Sequence, residues 1–150
     1  MSQSLVSLHI HIIFSTRGRE PLIDSDLAPR LYEYMGGVAR NVGSMLVAIG
    51  GMPDHVHLLA SLGRRSDVAD LVRDVKSNSS RWVHESFPDR SGFGWQAGYG
   101  AFTVSASQIA RVKKYIARQE EHHRHRTFQE EYLAFLRVHE IAWDDRFVWE

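Results

Sequence analysis

Two histidines stand one residue apart in the run Met52-Pro53-Asp54-His55-Val56-His57-Leu58-Leu59. The run reads as a turn followed by a strand. Side chains alternate faces along a strand, so His55 and His57 point the same way. Further on, Tyr115 and Gln119 are four apart in Val112-Lys113-Lys114-Tyr115-Ile116-Ala117-Arg118-Gln119, which reads as helix. Residues four apart on a helix share a face. Two imidazoles, an amide oxygen and a phenol suit a metal-assisted nucleophilic site that breaks a phosphodiester through a tyrosine.

Each residue also has a plainer reading. His9-Ile10-His11 repeats the His-x-His spacing, which shows how little that spacing specifies alone. That pair reads as structural, with His11 in a position to support the second one. Tyr115 lies beside the apolar stripe Ile109, Val112 and Ile116 rather than within it. Arg111, Lys114 and Arg118 border it on one side, and Gln119 and then His122 on the other. A phenol among cations is an unusual core residue and a suitable one to meet phosphate. His122, His123 and His125 have the look of a metal tract, but the reading adopted is a solvated helix end, where cations suit the dipole.

The elements that must carry these residues follow from hydrophobic period and turn chemistry. Leu5 to Phe14 is strand-like. Leu27, Leu31, Tyr34, Met35, Val38 and Val42 recur at helical spacing, capped by Asp24 or Ser25. Met45 to Ile49 and His55 to Ser61 form a hairpin around the turn formers Gly50 to Asp54. Ser66 caps a second helix whose apolar face is Val68, Leu71, Val72, Val75, Trp82 and Val83. Arg73, Lys76, Ser77, Ser80 and Arg81 lie opposite. Lys76 and Arg81 are candidate phosphate contacts on that face. Tyr99 to Val104 reads as a fourth strand. Ser105 to Gln108 and Thr127 to Glu130 both fit capping boxes. The first opens a helix running to about Glu121. The second opens a tail helix with Phe128, Tyr132, Phe135 and Leu136 on one side. Strand, helix, strand, strand, helix, strand is the split βαβ order of a ferredoxin-like α+β fold. It predicts one antiparallel sheet with the first two helices on one face, followed by a C-terminal helix bearing Tyr115 and by the tail helix.

The 150 residues suit a single domain over 1–150 with an ample core. Cysteine is absent, which excludes disulfides and thiolate zinc sites. No signal peptide or membrane span is read, so a cytoplasmic protein is expected. The net charge is zero, but it is unevenly spread. Residues 64–126 hold twelve basic and seven acidic residues, whereas residues 127–150 hold six acids against Arg137 and Arg146. A basic middle segment suits a phosphate-bearing partner.

The ordered motifs resemble the single-tyrosine HUH transposases of small bacterial insertion sequences, the IS200-like family. His55-Val56-His57 is similar to the histidine–hydrophobic–histidine strand of that family. Trp95 to Ser105 resembles the segment before its catalytic helix, and His11 to Arg17 its first strand. The likeness spans nearly the whole chain. It implies that Tyr115 is the nucleophile and that His55, His57 and Gln119 hold Mg²⁺ or Mn²⁺. It implies a reaction that cuts and rejoins single-stranded DNA at hairpin-bearing element ends through a 5′-phosphotyrosine. It further implies a homodimer in which the Tyr115 helix acts in trans. Lys76, Arg81, Arg111, Lys114 and Arg118 are then the expected DNA contacts. All three metal ligands are neutral, so tight metal binding is expected only with DNA present. The rival reading is a domesticated or inactive relative that binds hairpin single-stranded DNA or RNA without cutting. Strand three lacks the stacking aromatics of an RNA-binding sheet, which disfavours the RNA version.

Overall fold

A computed structural model describes residues 2–150. Four strands form one antiparallel sheet: β1 (His9–Ser15), β2 (Met45–Met52), β3 (His55–Ser61) and β4 (Gly100–Val104), in the spatial order β2-β3-β1-β4. The two central strands therefore carry both His-x-His pairs. Register aligns Ser15 with His55 and Ile13 with His57. Strand one is shorter than its apolar composition suggests. Residues 2–8 are not strand, and Leu5, Val6 and Leu8 are exposed.

Alternation along the strands separates two cores. Ile12, Phe14, Val56, Leu58 and Ala60 face α1 (Leu27–Asn41) and α2 (Val68–Ser86). The opposite face presents His11, Ile13, His55, His57 and Phe102. Of these, Ile13 and Phe102 pack with Phe128, Tyr132 and Leu136. That second face is roofed by α3 (Ile109–Ala117), α4 (Gln119–His122) and α5 (Phe128–Val138). The predicted α+β arrangement is the one observed.

Local chemistry explains most boundaries. Asp24 Oδ1 accepts from the backbone N–H of Asp26 and Leu27 and so starts α1. Asp67 caps α2 by accepting from Asp70 N–H, whereas Ser66, the predicted cap, donates to the carbonyl of Val42 instead. The Thr127–Glu130 capping box forms. The Ser105 box does not. Ser105 bonds to Ser107, residues 106–108 form a 3₁₀ turn, and α3 starts after it. The predicted continuous helix to Glu121 is also broken at Arg118, whose backbone leaves the helical region and separates α3 from α4.

One glycine decides how closely the tyrosine helix approaches the sheet. Gly50 lies within β2, opposite His57, rather than in the turn. A Cβ there would lie 2.5 Å from the carbonyl oxygen of Ile116 in α3. Only a residue without Cβ lets α3 lie directly on the sheet.

Candidate active site

The hairpin turn and β3 fix the paired histidines. Both are fully buried. His55 Nδ1 donates to Asp54 Oδ1 at 2.7 Å, which turns Nε2 into the space beneath α3 and α5. His57 Nδ1 is 2.8 Å from His11 Nε2. With His57 neutral and its Nε2–H donated to Glu131 Oε1 at 2.9 Å, Nδ1 accepts from His11. Histidines that bind metals usually have the second ring nitrogen held by such a partner. His11 therefore has the supporting place that its spacing allowed.

The helices supply the remaining groups. Gln119, the first residue of α4, is buried. Its Oε1 accepts from His55 Nε2 at 3.2 Å and from His123 Nε2 at 3.1 Å. The break at Arg118 does not part Tyr115 from Gln119. The Tyr115 hydroxyl donates to Glu131 Oε2. Its ring stacks on His122 and meets His11, His57 and Phe135 edge-on. Glu131 is the hub. One oxygen lies among the imidazoles of His55, His57 and His123, and the other holds the phenol.

The electrostatics follow from this packing. Burial opposes charge on Glu131, but hydrogen bonds from His123, His55 and His57 outweigh it and hold the carboxyl far below its usual range. Burial also disfavours protonated His55, yet its bonds to Asp54 and Glu131 win and raise it to about 9. His57 is lowered, first by its complete burial, and stays neutral. His11 is lowered to about 3 by burial and then by His57. Tyr115 is raised, first by burial and then by its bond to the Glu131 carboxylate. In the absence of metal, cationic His55 thus balances anionic Glu131, and the phenol keeps its proton.

The structure brings together four of the residues singled out from sequence: His55, His57, Tyr115 and Gln119. It corrects the reading of His123, which is a buried-side member of the cluster rather than part of a solvated helix end. From sequence Glu131 reads as one acid of the acidic tail. Its sequence signal was position: it follows Phe128 by three and precedes Phe135 by four, so it shares the inward side of α5. Arg111, Lys114 and Arg118 are exposed on α3 and its end, and none is ion-paired among the described residues. Arg81 is exposed on α2, across the sheet from the cluster, and bonds to Asn78. Lys76 corrects the picture of a free basic face. Its Nζ donates to the carbonyls of Ala97 and Gly98 at 3.1 and 2.9 Å, and burial lowers it to about 8.

The donor atoms fit a divalent metal. Nitrogens of His55, His57 and His123 and a carboxylate oxygen of Glu131 all lie within 4.8 Å of one another. Gln119 Oε1 is within hydrogen-bonding distance of two of them.

A four-stranded antiparallel sheet thus carries paired histidines on a central strand and is faced by a helix-borne tyrosine. The family described as "Transposase IS200 like" matches residues 4–119, and the chain belongs to that family. Membership implies DNA-cleaving activity. The chain is 29% identical over 117 residues to the ISDra2 transposase TnpA of Deinococcus radiodurans, covering 75% of this chain and 84% of that protein. A crystal structure from Deinococcus radiodurans, described as of a transposase, superposes with a TM-score of 0.63 at 29% identity, covering 79% of this chain and 98% of that one. The REP-associated tyrosine transposase bound to a REP hairpin shares the fold at 16% identity, with a TM-score of 0.60 over 82% of this chain and 74% of that one. Among the described residues, no helix is long and apolar enough to cross a membrane.

Proposed function

We propose that the protein cuts and rejoins single-stranded DNA at insertion-sequence ends through a covalent bond to Tyr115. The observation that carries this reading is the convergence of the Tyr115 hydroxyl on the cluster that holds His55, His57 and Gln119. The phenol oxygen attacks the scissile phosphorus, a P–O bond to the 3′ side breaks, and a 3′-OH leaves. The product is a 5′-phosphotyrosine. The phenolic proton leaves through the existing hydrogen bond to Glu131, which relays it rather than keeping it because that carboxyl is held far below its usual range, and the departing 3′ oxygen takes it up. A new 3′-OH reverses the step, and the ester energy retained on Tyr115 makes ATP unnecessary.

When bound at His55, His57 and Gln119, Mg²⁺ or Mn²⁺ supplies Lewis-acid polarisation of the phosphate. Asp54 and His11 orient the two imidazoles for that role. Exposed Arg111, Lys114 and Arg118 flank Tyr115 and contact the DNA backbone. Arg81 contributes from α2 to a hairpin-bearing strand that extends beyond the site. Within one chain Tyr115 already sits beside its own histidines, which supports cleavage in cis. The homodimer with exchanged tyrosine helices requires α3 to leave Gly50 and seat on its neighbour.

The test is a denaturing gel of purified protein with labelled single-stranded DNA from both flanks of its gene, with Mn²⁺, with Mg²⁺ and with EDTA. A metal-dependent covalent band is expected, and Tyr115→Phe should abolish it while retaining DNA binding. Binding with no band in either metal would favour the relative that holds hairpins without cutting.

A further inference from the structure

Both groups that the sequence did not nominate lie beyond residues 4–119, the span of the family match. They are His123, just after α4, and Glu131 on α5. We infer that these two residues complete, with His55 and His57, a four-ligand site for a first-row divalent transition ion that loads without DNA. The inference rests on the functional reading above and extends its metal centre.

The separations support shared coordination. Glu131 Oε1 is 2.9 Å from His57 Nε2, 3.3 Å from His123 Nε2 and 3.5 Å from His55 Nε2. Ligand atoms bound to one ion at ~2.0–2.1 Å in a tetrahedral arrangement stand roughly 3.3 Å apart. Three imidazole nitrogens aimed at one carboxylate oxygen, in a space with almost no solvent exposure, are placed for a cation at their centre. The supporting bonds are also in place, from Asp54 to His55 and from His11 to His57. Gln119 Oε1 stands by as a fifth donor.

The donor set also chooses the metal. Three imidazoles and one carboxylate favour zinc, cobalt or manganese over magnesium, which prefers oxygen and water. One anionic ligand removes the reason for expecting metal only with DNA. His55, His57 and Gln119 are neutral, but Glu131 lends the site a negative charge whether or not a phosphate is present. α5 thereby becomes part of the metal centre, and its loop from α4 carries His123 into the same shell.

The experiment uses the full chain stripped of metal and free of DNA. Co²⁺ alone is titrated and followed by its visible absorption, which intensifies when the ion is four-coordinate. Zn²⁺ and Mg²⁺ are added as competitors. One Co²⁺ per chain is expected, displaced by Zn²⁺ and not by millimolar Mg²⁺. Glu131→Gln and His123→Ala should each weaken Co²⁺ binding tenfold or more, while exposed His125→Ala should not. Far-ultraviolet circular dichroism verifies that the variants fold, and Glu131→Gln keeps the size and shape of the buried side chain it replaces. Co²⁺ binding that ignores both substitutions, or that requires DNA, overturns the inference. A covalent adduct on Tyr115 in those same circumstances would leave the nuclease reading standing. Loss of the adduct with intact Co²⁺ binding would do the reverse.

Discussion

At the residue scale, the site is a charge balance that metal would replace. His55 is raised to about 9, so in metal-free protein its stabilising charge is complete below about 6.5 and is lost as pH rises through 9. His11 is lowered to about 3. Its burial as a neutral ring favours the fold fully only above about 6.5, and this is lost progressively as pH falls towards 3. Glu131 is depressed and adds to the acid-side loss. Thermal unfolding in EDTA should therefore show a maximum near neutral pH, with a falling alkaline limb between 6.5 and 9. His55→Gln should flatten that limb. A wild-type melting temperature that is level across the alkaline window would contradict the assigned protonation of His55.

At the element scale, the tyrosine helix is positioned by what β2 lacks. α3 rests on Gly50, and the Ile116 side chain and carbonyl fill the space a Cβ would take. Overpacking of this kind costs about 1–3 kcal/mol. Gly50→Ala should lower stability by that order and displace α3, and with it Tyr115 and Gln119, from the histidines. Denaturant melts and the covalent-adduct assay measure the two effects together. A variant that is as stable and as active as the parent would show that α3 need not touch the sheet. The same scale explains α5. Its capping box starts the helix where Phe128, Glu131, Tyr132 and Leu136 all turn inward. Packing of three apolar side chains thus carries one carboxylate into a space it would not enter alone.

At the scale of the whole molecule, the sheet has a structural face and a chemical face. α1 and α2 cover the first, and α3, α4 and α5 cover the second. Within one chain the chemical face already sets Gln119 against His55 and Tyr115 against His57. Mixing His57→Ala subunits with Tyr115→Phe subunits should accordingly restore no cleavage. Recovery of the covalent band in the mixture would establish the exchanged homodimer that the family resemblance implies. Charge is divided on this scale as well. The acidic tail counters the basic middle segment in the sum over the chain, but Glu131 spends its charge inside the site and leaves Arg111, Lys114 and Arg118 facing outward.

Alternation and helical period were enough to place His55 with His57 and Tyr115 with Gln119, because each pair lies within one element whose geometry is local. The order of elements likewise determined the ferredoxin-like sheet and the strand that bears the histidines. The sequence could not tell that Ser66 would lose its capping place to Asp67, or that Lys76 would spend its charge on two loop carbonyls. Those outcomes depend on which backbone groups are brought near. Above all, it could not nominate His123 and Glu131. Glu131 has no ligand-pair spacing, His123 shares the His-x-His spacing only with exposed His125, and each reads as an ordinary solvated group near a helix end. They join His55 and His57 only because α3 settles on Gly50 and α5 packs its apolar side against Ile13 and Phe102. Long-range packing, not local spacing, brings a tail carboxylate to a central strand.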